Sequence, residues 1–360
     1  GVEVDFVDGD DLGQWEEALA KPAQAVFFET PSNPMQQLVD IAAVSDLAHA
    51  AGAKVVLDNV FATPLLQQGI PLGADVVIYS GTKHIDGQGR VLGGAILGDK
   101  EYIDGPVQKL MRHTGPALSA FNAWVLLKGL ETLAVRVNYS NSSAHRIAEF
   151  LEAHPAVRWV RYPFLPSHPQ HDLAKRQMSG GGTVVTFELD APEGAAKQRA
   201  FEVLDKLALI DISNNLGDAK SLITHPATTT HRAMGPEGRA AIGLGAVFLH
   251  LAAEGDSVNE SSHQGNLVGI ERQRRGGGGV QRRVLQAVVE AIVGRSAHSE
   301  IAGRRGEAFG EGRAPGVRAA SRDHGDEIFG RRQTSQREPF AIVKADAGTY
   351  GMGVMTVRDA

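Results

Sequence analysis

The sequence predicts an α/β protein in which a large domain with a parallel sheet precedes a smaller α+β domain. Short β-rich runs alternate with helical segments over residues 1–245. Two of these runs enclose a helical segment whose length is typical of a βαβ unit, and such units build parallel sheets. Of the 360 residues, 42% are apolar and 22% are charged, which is the composition of a folded globular protein.

The large domain is predicted to span residues 1–140 and to take its strands from four β-rich runs. These runs are Ala25–Thr30, Lys54–Asn59, Val76–Ser80 and Gly94–Gly98. Between the first two runs, Ile41, Val44, Leu47 and Ala48 recur at the spacing of one helix face, and Gly52 stands near its end. Strand, helix and strand in this order predict that the first two strands pair in parallel.

The small domain is predicted to span residues 141–245, after a long helical segment at about 117–153. It continues with the β-rich run VRWVRYP and a Gly-rich stretch at 179–182. A strand at 183–189 and the helical segment AAKQRAFEVLDKLAL come next. This order of elements is typical of a small α+β domain.

The composition changes after about residue 245. Between residues 255 and 338 the chain contains no lysine, while arginine and glycine recur in runs such as ERQRRGGGGVQRR. Residues 246–338 are therefore predicted to be unstructured, or to come from a frame-shifted stretch of coding sequence, with Val284–Val293 the one helical pattern. Residues 339–360 regain a pattern of strand, Gly-rich turn and strand.

Charge and composition exclude several classes of function. The net charge of −6 argues against a nucleic-acid or anionic-membrane partner, and the absence of cysteine excludes disulfides, thiolate metal sites and a cysteine nucleophile. No apolar run is long enough to span a membrane and the N-terminus is acidic, so a cytoplasmic protein is expected. His225 and His231 lack the carboxylate or thiolate that would complete a metal site, and no metal is predicted.

An acid and a lysine follow two neighbouring strands of the predicted sheet. Asp58 ends one strand and Lys83 follows the next, so both side chains are expected in the crevice beyond the carboxyl ends of the strands. There the lysine could form an imine with pyridoxal phosphate (PLP), while the carboxylate keeps the pyridine nitrogen protonated. Ser80 and Thr82 offer hydroxyl groups to the phosphate. The spacing alone supports an alternative equally well, in which Asp58 is a turn residue and Lys83 is an exposed side chain without a role in binding.

Four motifs in order extend this interpretation: ETPSNP (29–34), LDNVFATP (57–64), YSGTKHIDGQGRVLGG (79–94) and THPATTTH (224–231). Over residues 1–245 the chain resembles the Cys/Met-metabolism family of PLP-dependent enzymes. The resemblance implies an aminotransferase-like fold of type I. It also implies that the chain begins partway into the large domain and lacks the Gly-rich phosphate loop and the tyrosine that stacks on the ring.

The resemblance implies a role for each matching residue. Lys83 would be the catalytic residue, which binds PLP covalently and moves the α and β protons of the substrate. Asp58 would pair with the pyridine nitrogen, Ser80 and Thr82 would bind the phosphate, and Asn33 would bond the phenolic oxygen of the ring. Asn215 lies where other members of the family have a serine near the substrate carboxylate.

The segments KHIDGQGRVLGG, NLGDAKSL and HRAMGPEGR are similar to the subgroup that converts O-succinylhomoserine and sulfide to homocysteine and succinate. The activity implied is this γ-replacement, a step of methionine biosynthesis, by a homo-oligomer (dimer or tetramer). Cystathionine γ-synthase or γ-lyase activity is one alternative. A non-catalytic remnant is another, because no arginine stands between Arg239 and Arg272, where the family carries one for the substrate carboxylate.

The last segment has a separate resemblance. Residues 339–359, PFAIVKADAGTYGMGVMTVRD, are similar to a nucleotide-binding strand and Gly-rich turn of a bacterial glutamate–cysteine ligase. Twenty or so residues cannot build that fold, so a fragment without a working second site is expected.

Overall fold

A computed structural model describes residues 3–192, 194–246, 248–253, 288 and 340–344. The elements up to the end of the large sheet are, in chain order, α1 (Leu12–Leu19), β1 (Ala25–Glu29), α2 (Ile41–Ala50), β2 (Lys54–Asp58), α3 (Thr63–Leu66), β3 (Val76–Ser80), a π-helical turn (Gly81–Ile85) and β4 (Gly94–Gly98). Those that follow are α4 (Lys100–Tyr102), a second π-helical turn (Ile103–Val107), α5 (Gln108–Thr114), α6 (Ala120–Leu130) and α7 (Leu133–Glu152). The remaining elements are β5 (Val157–Arg161), α8 (His171–Gln177), β6 (Val184–Leu189), α9 (Ala196–Leu204), β7 (Asp211–Ile212), β8 (Leu222–Thr224), α10 (Gly235–Ala241), β9 (Phe248–Ala252) and β10 (Phe340–Lys344), with short 3₁₀ turns at Pro226–Thr228 and Arg232–Met234.

The large sheet has the strand order β1-β2-β3-β4-β10. As the sequence predicts, β1, β2 and β3 pair in parallel. β4 runs antiparallel to β3, in contrast to the predicted parallel sheet. The connection at 81–93 holds a single π-helical turn and no α-helix, whereas the crossover to a parallel strand usually runs through an α-helix. The three parallel strands are therefore the part of the sheet with a shared carboxyl edge.

The core of the large domain forms where α1 and α2 pack on this sheet. Ile41, Val44 and Ala48 of α2 are fully buried against Val55 and Leu57 of β2. The Asp40 side chain accepts a hydrogen bond from the Ala43 N–H and so caps the first turn of α2. The helix face predicted from the apolar spacing is therefore the face that holds the strand, and this packing fixes the end of β2.

The predicted domain boundary at residue 140 falls inside a continuous helix, α7. Near its start, Leu133 and Val137 pack against Leu66 of the large domain. Further along, Ile147 and Leu151 lie in the core of the small domain. A single amphipathic helix thus packs on both domains. The chain breaks the predicted long helix at 131–132 instead, where a turn separates α6 from α7.

The small sheet has the order β5-β6-β9-β8-β7, with only β7 and β8 parallel. β9 lies in its centre, between β6 and β8, and all five of its residues are buried. The small domain therefore continues past the predicted boundary at residue 245. Val288, the one described residue of the predicted helical pattern at 284–293, is helical and buried in the same core.

The other predictions for residues 254–339, and the Gly-rich turn and second strand predicted after residue 344, lie outside the described residues. Residues 340–344 form β10, which pairs antiparallel with β4. In the part of the chain that the structure describes, we find no helix with the length and apolar character of a membrane span.

Candidate active site

The candidate site lies at the carboxyl edge of the three parallel strands. β1, β2 and β3 end at Glu29, Asp58 and Ser80. Glu29 and Asp58 are paired residues in the β1–β2 register, so their side chains leave the sheet side by side on the same face. The sequence reasoning predicted the carboxylate of Asp58 at this edge but did not single out Glu29.

Lys83 lies in the π-helical turn that follows β3. Its backbone departs from helical geometry, with φ −87° and ψ −123°, which interrupts the turn at this residue. The side chain is half-buried, and burial lowers the pKa of its amino group. Its Nζ donates a hydrogen bond of 2.9 Å to Oδ1 of Asn215. The alternative in which Lys83 is a solvent-exposed side chain is therefore wrong.

Asn215 reaches Lys83 from a loop of the small domain between β7 and β8. Gly217, with φ +73°, lets this loop pass against the backbone of the lysine turn. A Cβ at residue 217 would lie 2.3 Å from the backbone nitrogen of His84, so only glycine fits at this distance. The sequence reasoning expected Asn215 near a substrate carboxylate. In the structure its amide oxygen is a hydrogen-bond partner of the lysine.

Asp58 and Glu29 form a pair of carboxyl groups with little exposure to water. Asp58 Oδ1 accepts a hydrogen bond of 3.0 Å from the N–H of Val60, and Glu29 Oε2 accepts one of 3.0 Å from the N–H of Asn33. Burial raises the pKa of Asp58 to about 6. Burial, followed by repulsion from Asp58, raises the pKa of Glu29 to about 8. No cation among the described residues offsets this pair, which therefore favours a cationic ligand.

The two predicted phosphate ligands flank Gly81. Ser80 and Thr82 are both half-buried. Thr82 Oγ1 accepts a hydrogen bond of 3.3 Å from the N–H of Gly93, and the Gly81 N–H donates one of 2.8 Å to the Gly93 carbonyl. These bonds tie the lysine turn to the start of β4, and the Thr82 hydroxyl keeps its own proton free to donate.

A buried amide network supports the edge from behind. Asn59, next to Asp58, donates from Nδ2 to the Tyr79 hydroxyl and to the Gln67 carbonyl, both at 2.8 Å. Gln67 Nε2 in turn donates to Asn59 Oδ1 at 2.8 Å and to the Thr30 carbonyl at 2.9 Å. The network joins the ends of all three parallel strands, so the strand ends are held at fixed positions relative to one another.

Histidines line the side of the site that faces the small domain. His84 Nε2 lies 2.9 Å from Thr183 Oγ1, whereas Nδ1 of His84 and Nδ1 of His250 are buried without a hydrogen-bond partner. Burial is the main reason that the pKa of each falls to about 3, and the nearby Lys83 charge contributes. His231 contacts the backbone of Asn33, and burial lowers its pKa as well. The sequence reasoning missed His250, because a lone histidine in an apolar strand resembles a core residue.

The structure thus brings five of the six predicted residues to one edge of the sheet and the sixth, Asn215, onto Lys83. Asn33 follows β1 on the loop bonded to Glu29. An amine with a lowered pKa suits the lysine that binds PLP, a carboxylate without a cation suits its ring nitrogen, and two hydroxyl groups at a strand end can donate to its phosphate. The residues present fit this cofactor.

Comparison with known proteins supports the same interpretation. The family model described as "Cys/Met metabolism PLP-dependent enzyme" matches residues 1–255. O-succinylhomoserine sulfhydrylase of Mycobacterium tuberculosis H37Rv is 86% identical over 245 residues, which cover 68% of this chain and 60% of the relative. The enzyme of the same name from Pseudomonas aeruginosa is 48% identical over 70% of this chain and 61% of the relative. The chain therefore spans about 60% of the length of these curated relatives.

Solved structures agree with these relatives in fold. Cystathionine γ-synthase from Xanthomonas oryzae, in complex with aminoacrylate and cysteine, aligns with a TM-score of 0.70 at 32% identity, covering 79% of this chain and 67% of that structure. CalE6 from Micromonospora echinospora, titled a cystathionine γ-lyase, aligns with a TM-score of 0.69 at 35% identity, covering 80% and 68%. The fold of type I expected from the sequence is confirmed by these structures.

The C-terminal resemblance is also confirmed as a short match, because a glutamate–cysteine ligase model covers residues 329–360 only. The match to the first family covers more than two thirds of the chain and includes both carboxyl residues and the lysine of the site. The chain belongs to the Cys/Met metabolism family of PLP-dependent enzymes.

Proposed function

We propose that this chain binds PLP at the carboxyl edge of the large sheet and serves a γ-replacement reaction on O-succinylhomoserine. The observation that carries the proposal is Lys83, a half-buried amine with a lowered pKa, in the turn that follows β3 at the same edge of the sheet as the uncompensated Asp58–Glu29 pair. Lys83 would bind the cofactor, Asp58 would face its ring nitrogen, and Asn33 its phenolic oxygen. Ser80 and Thr82 would donate to the phosphate.

The cofactor supplies an electron sink that stabilises negative charge on the substrate carbons. The residues of the chain supply the positions and the protons. A buried amine such as Lys83 Nζ loses its proton more readily than an exposed lysine and can then accept one from carbon. Asn215 Oδ1 holds that amine in a fixed direction. Ionised Asp58 would keep a ring nitrogen protonated.

The proposed reaction exchanges one bond at the γ carbon. The bond from this carbon to the succinate oxygen breaks, a bond to the sulfur of sulfide forms, and homocysteine and succinate leave. The name and the 86% identity of the Mycobacterium tuberculosis relative support this choice of substrates. As further support, the lysine turn and the Asn215 loop both fall within the matched residues.

A γ-lyase reaction is the second candidate. L-methionine γ-lyase of Treponema denticola is 41% identical over 259 residues, which cover 71% of this chain and 64% of that relative. A lyase would release a 2-oxo acid and ammonia without added sulfide. Assay of O-succinylhomoserine with and without sulfide therefore separates the two candidates.

We also propose that the chain forms a homo-oligomer through α6. Three large apolar side chains of this helix, Phe121, Trp124 and Leu127, are 66%, 56% and 59% exposed, and their spacing places them on one helix face. An apolar patch of this kind is typical of a protein interface. We also propose that the protein is cytoplasmic, as expected from its sequence.

The decisive experiment is an absorption titration of the full chain with PLP, beside Lys83→Ala. A borohydride-reducible band in the original protein that is missing in Lys83→Ala would support the site. Homocysteine formation that needs both O-succinylhomoserine and sulfide would then support the reaction. Identical spectra for the two proteins would overturn the proposal and favour a non-catalytic remnant.

A further inference from the structure

Glu29 stands between two of the proposed cofactor ligands. It is paired with Asp58 in the β1–β2 register, so the two carboxyl groups leave adjacent strands, about 4.8 Å apart, on one face of the sheet. On its other side, Glu29 Oε2 accepts the N–H of Asn33 at 3.0 Å. One side chain therefore joins the end of β1 to the loop that carries Asn33, and its register partner is Asp58 at the end of β2.

The surroundings of Glu29 hold negative charge and no compensating cation among the described residues. Asp58 faces it from β2, whereas Tyr79 of β3 lies on the opposite face of the sheet, where its hydroxyl accepts from Asn59. His231 meets the Asn33 loop through its backbone, and burial lowers the pKa of its ring, so this histidine stays neutral more readily. Lys83 is bonded to Asn215. Among the described residues, Glu29 and Asp58 are therefore the two carboxyl groups that set the charge at this end of the sheet.

We propose that Glu29 is a positioning residue for the cofactor, which acts through Asp58 and Asn33 and makes no contact with the ring. The role rests on the proposed function, since it concerns the same site. Glu29 holds the Asn33 loop through its hydrogen bond, and it controls how much negative charge faces a cationic ring nitrogen. Near neutral pH it carries the proton of the pair, and Asp58 carries the charge.

The two parts of this role separate in two variants. Glu29→Gln keeps an oxygen that can accept the Asn33 N–H but removes the titrating charge. Glu29→Ala removes both. In the cofactor-free chain, the raised pKa of Glu29 costs stability as the pH rises from about 4.5 to about 8. The urea midpoint of Glu29→Gln should therefore exceed that of the original protein by a margin that grows over this range.

The test is a PLP binding titration of the full chain, the two Glu29 variants and Lys83→Ala, with circular dichroism to check folding. At pH 7 we expect the dissociation constant of Glu29→Gln within about threefold of the original and that of Glu29→Ala raised about tenfold, because the Asn33 N–H loses its acceptor. A bound cationic ring should lower the pKa of Glu29, so the affinity of the original protein for PLP should rise relative to that of Glu29→Gln between pH 6.5 and 9. The ratio of the two dissociation constants should change tenfold for each unit by which binding lowers that pKa. A merely structural role would leave this ratio constant.

The outcomes distinguish the two proposals. Equal spectra for the original and Lys83→Ala overturn the proposed function, and the role of Glu29 with it. A band that depends on Lys83, with Glu29→Ala binding PLP as tightly as the original, overturns the role of Glu29 alone. If Glu29→Ala does not fold, the pH dependence of Glu29→Gln decides, and a constant affinity ratio overturns the role.

Discussion

Lys83 Nζ, in the turn after β3, donates a 2.9 Å hydrogen bond to Oδ1 of Asn215, a residue 132 positions further along the chain. The bond joins the two domains at the reactive amine. An amide oxygen accepts a hydrogen bond without adding a negative charge, so it directs the lysine and leaves its pKa low. The small domain therefore positions the amino group and does not merely cover the site.

Replacement of Asn215 by alanine should remove the hydrogen bond that orients the Lys83 amino group. We expect kcat/KM for the proposed sulfhydrylase reaction to fall about 10- to 100-fold, since a hydrogen bond to a charged or reactive group is worth about 1.5–3 kcal/mol. Asn215→Asp should restore the acceptor but raise the pKa of Lys83, and so shift upward in pH the acidic limb, along which activity rises as the amine loses its proton. The measurement is the pH–rate profile of both variants.

Asn122→Ala is a suitable control for that measurement. Asn122 donates from Nδ2 to the Leu92 carbonyl on the exposed side of α6 and makes no contact with Lys83. Its variant should retain the original profile. An Asn215→Ala profile equal to that of the control would show that the hydrogen bond has no role in the reaction.

Asp58→Asn should stabilise the cofactor-free chain while it removes function. Burial raises the pKa of Asp58 from 3.8 to about 6, so the folded chain holds this proton more tightly than the unfolded chain does. The stability that this gives is fully present below pH 3.8 and is lost as the pH rises through about 6. The asparagine can still accept the Val60 N–H. We expect the free energy of unfolding in urea to rise by about 2–3 kcal/mol at pH 7.5, with no gain at pH 4.

In the same variant, the proposed sulfhydrylase activity should fall at least about 100-fold, because a buried charge that would face the ring nitrogen is worth about 3–5 kcal/mol. Asp190→Asn, which breaks an exposed pair with Arg158, should change stability by less than about 1 kcal/mol. A loss of stability in Asp58→Asn at pH 7.5 would contradict the description of Asp58 as a buried carboxylate without a compensating cation.

Much of the large domain could be predicted because its signals are local. The runs at 76–80 and 94–98 are strands with those bounds, and the apolar spacing of α2 marks its buried face. The direction of β4 could not be predicted from its own residues, because it depends on the connection at 81–93. The bounds of the small domain were wrong because β9 follows a change of composition yet fills the centre of the sheet.

The site followed a similar division. Asp58 and Lys83 could be predicted, since strand ends and motif spacing are visible in the sequence. Glu29 has the same position at the end of β1, and the rule that found Asp58 would have found it. The Lys83–Asn215 bond could not be predicted from residue types, since it depends on the packing of two domains and on the close approach at Gly217.

That approach makes Gly217→Ala a direct test of the domain contact. The added Cβ would meet the backbone at 2.3 Å, and φ +73° is strained for any side chain, so the loop must move away from Lys83. We expect the loss of about 2–4 kcal/mol in unfolding free energy and a fall in kcat/KM like that of Asn215→Ala.

Gly115→Ala is the matched control for Gly217→Ala. It has φ +82°, but nothing lies within 4 Å of the added Cβ, so it should cost only about 1 kcal/mol and leave kcat/KM unchanged. Equal effects of the two substitutions would mean that backbone strain alone, and not the contact with the lysine turn, explains the requirement for glycine.

The exposed face of α6 gives a prediction about assembly. Phe121 and Trp124 lie with ring centroids 6.3 Å apart and remain open to solvent in the single chain. In a homo-oligomer, burial of these two rings would supply several kcal/mol, since each aromatic side chain removes about 150–250 Å² from water. The double variant Phe121→Ser and Trp124→Ser should therefore raise the dissociation constant of the oligomer at least about 100-fold, as measured by sedimentation equilibrium. Substitution of the exposed Phe6, which lies far along the chain from α6, should leave assembly unchanged. An oligomer that is equally stable in the double variant would place the contact on another surface, while a monomer in both proteins would show that α6 does not bind a second copy.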